Sequence, residues 1–450
     1  MADRVSPGRN PHSHQLLTEE QKHVDRLIVE GGRPLEGSLR NAGSKNAVLP
    51  ILAASLLTRE RVKIENSPAL ADVQTMLSVL REVGAEGERG EDGTIEVDAS
   101  ADLIPRAGWD NVRKMRGSVC VLGPLLARCG RVEVSLPGGC VFGVRPIDVH
   151  LKGLRMLGAR VKVEKGFVIA EAPPGGLIGA SMFLGSAFGS SVLGTANVMM
   201  AATLARGTSI IQGAACEPEV VDLAECLISM GAKIKGHGSP RLEIEGVDEL
   251  HGTTHRVVPD RIEAGTYVLA GSMVGGRVRV EGCRPDHLPV LLDRMWEAQV
   301  PFDVGEDWIE TVPYDPKDRR PRSTDVTTHS YPGFPTDLQA QWMALMILAD
   351  GISVITERIY SDRWMHLPEL ERLGANLRRQ GSTAIVRGVE RLSGAPVTAS
   401  DLRASAALVL AGLVAEGTTE VHRVYHIDRG YERIEERLEG LGAAIKRVSD

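Results

Sequence analysis

The sequence predicts an α/β (α+β) protein of six units, each of about 70 residues, with three units in each of two globules. Two recurring phrases and a change of hydrophobic period carry this prediction. A phrase ending in Leu-Gly-Ala or a close variant falls at Val83-Gly84-Ala85, Leu157-Gly158-Ala159, Met230-Gly231-Ala232, Leu373-Gly374-Ala375 and Leu441-Gly442-Ala443, with a degenerate copy at Ala298-Gln299-Val300. Measured between the central residues, the spacings are 74, 73, 68, 75 and 68. A second phrase, an apolar run followed by Gly and then Ile or Val, sits at Gly130, Gly207, Gly276, Gly351 and Gly417, with Glu60 in the first copy, and it precedes its Gly-Ala partner by 23 to 28 residues each time.

Within a unit the hydrophobic period switches. Val62-Lys63-Ile64-Glu65 and Arg277-Val278-Arg279-Val280 alternate as half-exposed strands, while Leu223 to Met230 reads as an amphipathic helix. The glycine closing that helix fits a C-cap of positive φ that releases the chain into the next strand. Each unit is therefore two helices interleaved with several strands. Val257-Val258-Pro259-Asp260, between the third and fourth units, is the expected crossover.

Composition narrows the class. The 450 residues are 43% apolar and 25% charged, ordinary for a globular chain that needs no disulfide or metal staple. Aromatics are 4% and the net charge is −7, which argues against base stacking and against general affinity for nucleic acid or anionic lipid. An anionic ligand must then meet a local cationic cluster. Cys120, Cys129, Cys140, Cys216, Cys226 and Cys283 form no CxxC pairs, so a zinc site is not expected and a reducing cytoplasm is. Pro173 to Ala205 lacks charge, but its glycines, serines and prolines break any apolar window long enough to span a membrane, and it reads as buried or cleft-lining. Residues 1–23 are polar and rich in Pro, His and charge, which predicts a disordered extension.

The densest phrase is Leu136-Pro137-Gly138-Gly139-Cys140, followed by Arg145-Pro146-Ile147-Asp148. A cysteine after Pro-Gly-Gly, with a guanidinium five residues on, suits nucleophilic or proton-transfer work; a small residue on a turn is the alternative. Asn41-Ala42-Gly43-Ser44-Lys45-Asn46 is not a complete phosphate loop, so Lys45 is either a binder of one phosphate at a helix start or a solvated turn lysine. Arg116, Arg363, Arg403 and Arg429 stand in apolar contexts as candidate bidentate partners of carboxylate or phosphate. Alternatively, Arg363, Arg403 and Arg429 pair with the aspartates beside them. Asp337, in Phe-Pro-Thr-Asp-Leu-Gln, stands where an N-cap would. The five other cysteines read as buried, inert thiols.

Taken together, Gly-Ser-Lys-Asn-Ala, Leu-Pro-Gly-Gly-Cys, Arg-Pro-Ile-Asp-Val-His, Phe-Pro-Thr-Asp-Leu-Gln-Ala-Gln and Tyr-His-Ile-Asp-Arg-Gly-Tyr give a sequence that resembles the UDP-N-acetylglucosamine enolpyruvyl transferase family from about Asp25 to Val448. The resemblance implies two inside-out, barrel-like α/β domains of three repeats each, 24–44 with 259–450 and 45–258, the first of them discontinuous. It also implies transfer of enolpyruvyl from phosphoenolpyruvate to the 3′-hydroxyl of UDP-N-acetylglucosamine with release of phosphate, the first committed step of peptidoglycan precursor synthesis. Carried over residue by residue, Lys45, Arg145, Arg363, Arg403 and Arg429 match anion-binding positions, Cys140 the proton donor and Asp337 the base. Asn46, Arg116, Pro146, Ile147, Asp148, Val149, Ser191 and Ile359 match nucleotide-sugar contacts. The two small molecules are the expected partners, with no cofactor, metal, nucleic acid or membrane, and a monomer is compatible with the sequence. The sister enzyme acting on shikimate 3-phosphate lacks the Pro-Gly-Gly-Cys loop, so Cys140 argues against it. Lys45, Cys140, Asp337 and Arg429 occurring together argue against a silent UDP-sugar-binding paralogue.

Overall fold

Every unit folds around a largely buried helix, followed by a strand, an amphipathic helix and a hairpin that completes a four-stranded sheet. The protein, seen here as a computed structural model, is described for residues 25–138, 147–185, 189–316 and 318–449. The expected N-terminal extension and Cys140, Arg145 and Pro146 lie outside the described residues.

One strand order serves all six sheets. In the first unit Val62–Glu65 pairs parallel with Thr254–Arg256 and antiparallel with Ile95–Asp98, whose other edge takes Glu86–Arg89. The same arrangement recurs around Arg131–Ser135, Thr208–Gln212, Arg277–Glu281, Ile352–Thr356 and Thr418–His422. The N-terminal strands complete sheets of the later units. Arg26–Glu30 lies antiparallel between Thr418–His422 and Ala444–Val448, and Glu36–Arg40 runs parallel to Arg277–Glu281.

The predicted glycine caps are all present. Gly84, Gly158, Gly231, Gly374 and Gly442 have φ of 90°, 90°, 102°, 96° and 97°, and the degenerate copy keeps the same turn with Gln299 at 58°. In each unit the next N–H returns to the third-last helical carbonyl, namely that of Leu80, Leu154, Leu227, Met295, Leu370 or Leu438. This hydrogen bond is the signature of a left-handed helix stop. In the second phrase the left-handed residue is Gly130, Gly207, Gly351 or Gly417, but in the fourth unit it is Gly275 rather than Gly276.

The buried helices are Lys45–Ala54, Leu122–Cys129, Val192–Ala202, Arg261–Met273, Gln339–Ile347 and Leu402–Val414. Alanine and glycine recur in them, so neighbouring backbones approach closely and little side-chain entropy is lost. The sheets stay outside with one face wet, as the exposed-buried alternation of Arg277–Glu281 shows. Two separate cores result. One draws on residues from Ala47 to Val257, the other on Leu27 to Leu35 with Ile262 to Ile445. The uncharged stretch 173–205 supplies the strand Ser181–Phe183 and the buried helix Val192–Ala202. No helix of the described residues is long and apolar enough to cross a membrane.

The chain passes between the cores twice, and the two passes are stitched together. Ser44 N–H donates to Val258 O at 2.7 Å, Asp260 N–H to Ala42 O at 2.8 Å, and Asn41 Nδ2 to Asp260 O at 3.1 Å. A Cβ on Gly43 would run into the carbonyl of Asn66. Gly43 is thus required by the crossing, not by a phosphate loop.

Candidate active site

The N-terminal ends of four buried helices, Lys45–Ala54, Arg261–Met273, Gln339–Ile347 and Leu402–Val414, are joined by polar contacts where the two cores meet. Lys45 is the first residue of its helix, Arg403 the second of Leu402–Val414, and Asp337 lies in the 3₁₀ turn before Gln339–Ile347. Helix N-termini carry partial positive charge, which the cationic side chains reinforce.

Asp337 is the hub. Its Oδ1 accepts from Arg363 Nη1 at 2.8 Å, its Oδ2 lies 3.7 Å from Arg403 Nε, and Asn46 Nδ2 reaches that oxygen at 3.5 Å from the other globule. It makes no helix-capping bond, so the N-cap reading fails; Asp260 and Asp401 are the caps, each accepting two backbone N–H groups. Burial works against ionised Asp337, yet Arg363 and Arg403 outweigh it and hold the carboxyl well below its ordinary range.

Arg403 is 2% exposed and lies 5.0 Å from the centre of the Tyr431 ring. Its nearest carboxylate oxygens, on Asp260 and Asp337, stand 3.6 and 3.7 Å away, and Nε and Nη2 make no hydrogen bond among the described residues. Those two nitrogens can donate to an anion, and a buried donor left without a partner costs roughly 1–3 kcal/mol.

A second cluster spans the cleft. Lys45 Nζ lies 2.8 Å from Asp72 Oδ2, and Arg429 of the other globule donates from Nε to Asp72 Oδ1 at 2.9 Å. Burial would raise the Asp72 carboxyl, but Lys45 and Arg429 reverse that and lower it. These contacts overturn the adjacent-aspartate reading. Asp362 pairs with Arg379 and Asp428 with Arg447, while Arg363 and Arg429 reach carboxylates distant in sequence.

Of the remaining candidates, Ile359 connects through Glu357 to the turn that carries Asp337, while Arg116, Ile147, Asp148, Val149 and Ser191 gather around the helix Asp148–Met156. Arg116 opens the 3₁₀ turn before Leu122–Cys129 and lowers the pKa of buried His150 alongside the larger effect of burial. Ile147 precedes the helix Asp148–Met156, which carries Asp148 and Val149 in its first turn. Ser191 Oγ accepts from Gly194 N–H at 3.2 Å, and a Cβ on Gly194 would lie 3.0 Å from Val149 Cγ1, so Ser191 and Val149 are neighbours. The Ile359 N–H is fixed at 2.8 Å by Glu357 Oε1. Sequence reasoning missed Asp72, Asp260, Asp401 and Glu357. Glu357 is fully buried and also accepts from Thr336 Oγ1 at 2.8 Å, steadying the turn that carries Asp337. Cys120, Cys226 and Cys283 are buried as expected, with burial pushing their thiols to about 12, 12 and 11. Cys129 and Cys216 are only half-buried, contrary to the expectation, though burial still raises both.

Residues 29–438 match the EPSP synthase family, described as 3-phosphoshikimate 1-carboxyvinyltransferase. The chain belongs to this family of enolpyruvyl (carboxyvinyl) transferases and is an enzyme of that class. Within it, the chain is 51% identical over 431 residues to the UDP-N-acetylglucosamine 1-carboxyvinyltransferase of Xylella fastidiosa, covering 95% of this chain and 100% of the relative. It is 52% identical over 429 residues to the enzyme of the same name from an Anaeromyxobacter species, covering 94% and 99%. The enolpyruvyl transferase NikO of Streptomyces tendae superposes with a TM-score of 0.85 at 26% identity, over 95% of this chain and all of that one.

Proposed function

We propose that this enzyme transfers enolpyruvyl from phosphoenolpyruvate to the 3′-hydroxyl of UDP-N-acetylglucosamine, releasing inorganic phosphate. On this reading it acts in the cytoplasm, catalyses the first committed step of peptidoglycan precursor synthesis, and is a fosfomycin target. The domains would be 24–44 with 259–450, and 45–258. The observation that carries the reading is the gathering of Lys45, Arg363, Arg403 and Arg429 around the cleft with Asp337 among them. Phosphoenolpyruvate brings two anionic groups to one small carbon skeleton and calls for such a set of fixed cations.

In the reaction the 3′-oxygen bonds to C2 of phosphoenolpyruvate while Cys140 gives its thiol proton to C3. Asp337 accepts the hydroxyl proton, so the addition is balanced. In the elimination the Cys140 thiolate takes a proton back from the new methyl group, the C2–O bond to phosphate breaks, the double bond re-forms, and the proton held by Asp337 leaves with the phosphate. Lys45, Arg145, Arg363, Arg403 and Arg429 hold the anionic groups, and Cys140 also forms a covalent adduct with the pyruvyl carbon. Asn46, Arg116, Pro146, Ile147, Asp148, Val149, Ser191 and Ile359 hold the nucleotide sugar. The test is phosphate release from phosphoenolpyruvate with UDP-N-acetylglucosamine and with shikimate 3-phosphate as rival acceptors. Release with the first alone is expected; release with the second alone would move the enzyme to the sister activity.

A further inference from the structure

We propose that Asp72 is a positioning residue that stands in for the substrate phosphate. It holds Lys45 and Arg429 together across the cleft and takes them back as phosphate departs. The proposal rests on the anion site described under the proposed function.

The geometry supports this role. Asp72 belongs to the first turn of Ala71–Glu82 and its side chain is 3% exposed. Both its oxygens are engaged. Oδ1 accepts from Arg429 Nε at 2.9 Å, and Oδ2 lies 2.8 Å from Lys45 Nζ and 3.4 Å from Arg429 Nη2. A planar carboxylate thus occupies the space between one ammonium and one guanidinium, the contacts that a phosphoryl group would make. Lys45 and Asp72 belong to one globule and Arg429 to the other, so the arrangement exists only while the globules meet. Among the described residues this contact cluster sets one carboxylate against two cations, at two helix N-termini. This imbalance favours a dianion over Asp72, because a phosphate carries close to two charges and three strong acceptor oxygens against one charge and two oxygens.

Two roles for Asp72 predict opposite signs. If it only orients the cations, its removal weakens phosphate binding. If it competes for them, its removal tightens phosphate binding and slows phosphate release. Binding of inorganic phosphate would be measured by calorimetry on the full-length protein with UDP-N-acetylglucosamine present, for the parent and Asp72→Asn, together with kcat and KM for phosphoenolpyruvate. Asp72→Asn is expected to lower the phosphate dissociation constant at least about fivefold, a typical coupling between competing groups. Its KM and kcat should fall together, which a merely structural defect would not produce. Asp72→Glu should return the phosphate constant to within about twofold of the parent, as expected if charge rather than shape matters. Asp72→Ser gives the same reading should the Asn variant not fold. A phosphate constant that is unchanged or raised in the neutral variants, or a parent that binds no phosphate, overturns the proposal. A parent that binds phosphate yet releases none from phosphoenolpyruvate counts instead against the enolpyruvyl transfer reading, and the Asp72 comparison still stands.

Discussion

Arg363 Nη1 donates to Asp337 Oδ1 at 2.8 Å, and the charge of this guanidinium, with that of Arg403, keeps the carboxylate ionised against its burial. The carboxylate stays ionised far into acid because Arg363 and Arg403 favour the charged form more than burial disfavours it. Asp337→Asn should therefore lower kcat by at least ~100-fold with KM little changed, the loss of a positioned base. Since the folded pKa lies below the ordinary range, activity that depends on ionised Asp337 should persist above pH about 4 and fall only below it. Arg363→Gln should move that acid limb to higher pH. A pH profile of kcat/KM for both proteins measures this, and superimposable limbs would remove Asp337 from the reaction.

Lys45 and Arg429 face each other through Asp72 from opposite globules, so each supplies charge that the closed site cannot replace with water. Lys45→Ala and Arg429→Ala should each reduce kcat/KM for phosphoenolpyruvate by at least ~100-fold, about 2.7 kcal/mol. A loss below tenfold in steady-state assays would take that residue out of the anion site.

On the proposed reading Cys140 gives its proton as the neutral thiol, so activity should decline on the alkaline side as the thiol ionises. Cys140→Ser is expected to be nearly inactive because serine is far too weak an acid. Cys140→Asp can carry the proton and should retain turnover with a lower pH optimum. Intact-mass measurement after fosfomycin treatment should show one adduct on the parent and none on the Asp variant. Full turnover by the Ser variant would sink the assignment.

His366 is fully buried beside the Arg363–Asp401 pair, and burial lowers its pKa to about 4. The unfolded chain binds a proton near pH 6.5 that the folded chain refuses, so unfolding takes up protons between those values. The stability contribution of neutral His366 is complete above about pH 6.5 and is lost as pH falls toward 4, at up to about 1.4 kcal/mol per pH unit. Denaturant unfolding of the parent and His366→Gln over this range should show the variant with the shallower pH slope. Equal slopes would contradict the neutral, buried state.

The Gln299 turn makes the repeat itself testable. Its φ of 58° is a conformation that the other five units assign to glycine. Gln299→Gly should stabilise the fold by roughly 0.5–1 kcal/mol, and Gly374→Ala should destabilise it by a similar amount. Shifts of the denaturation midpoint in these directions are expected, and a destabilised Gln299→Gly would show that the side chain compensates.

The sequence by itself determined the six-fold repeat, because periodic apolar positions and the left-handed stops at Gly84, Gly158, Gly231, Gly374 and Gly442 are local physics, set by neighbours a turn away. It also singled out Lys45, Asp337, Arg363, Arg403 and Arg429 as candidate site residues. Only the tertiary structure decided their partners. Asp362, Asp401 and Asp428 sit next to the arginines in sequence, yet Asp362 pairs with Arg379 and Asp428 with Arg447. Asp72, which no motif marked, closes onto Arg429 from 357 residues away. A charged pair is chosen by what burial brings within hydrogen-bond reach and leaves without water, and that depends on two cores folding against each other across the crossing at Gly43 and Pro259.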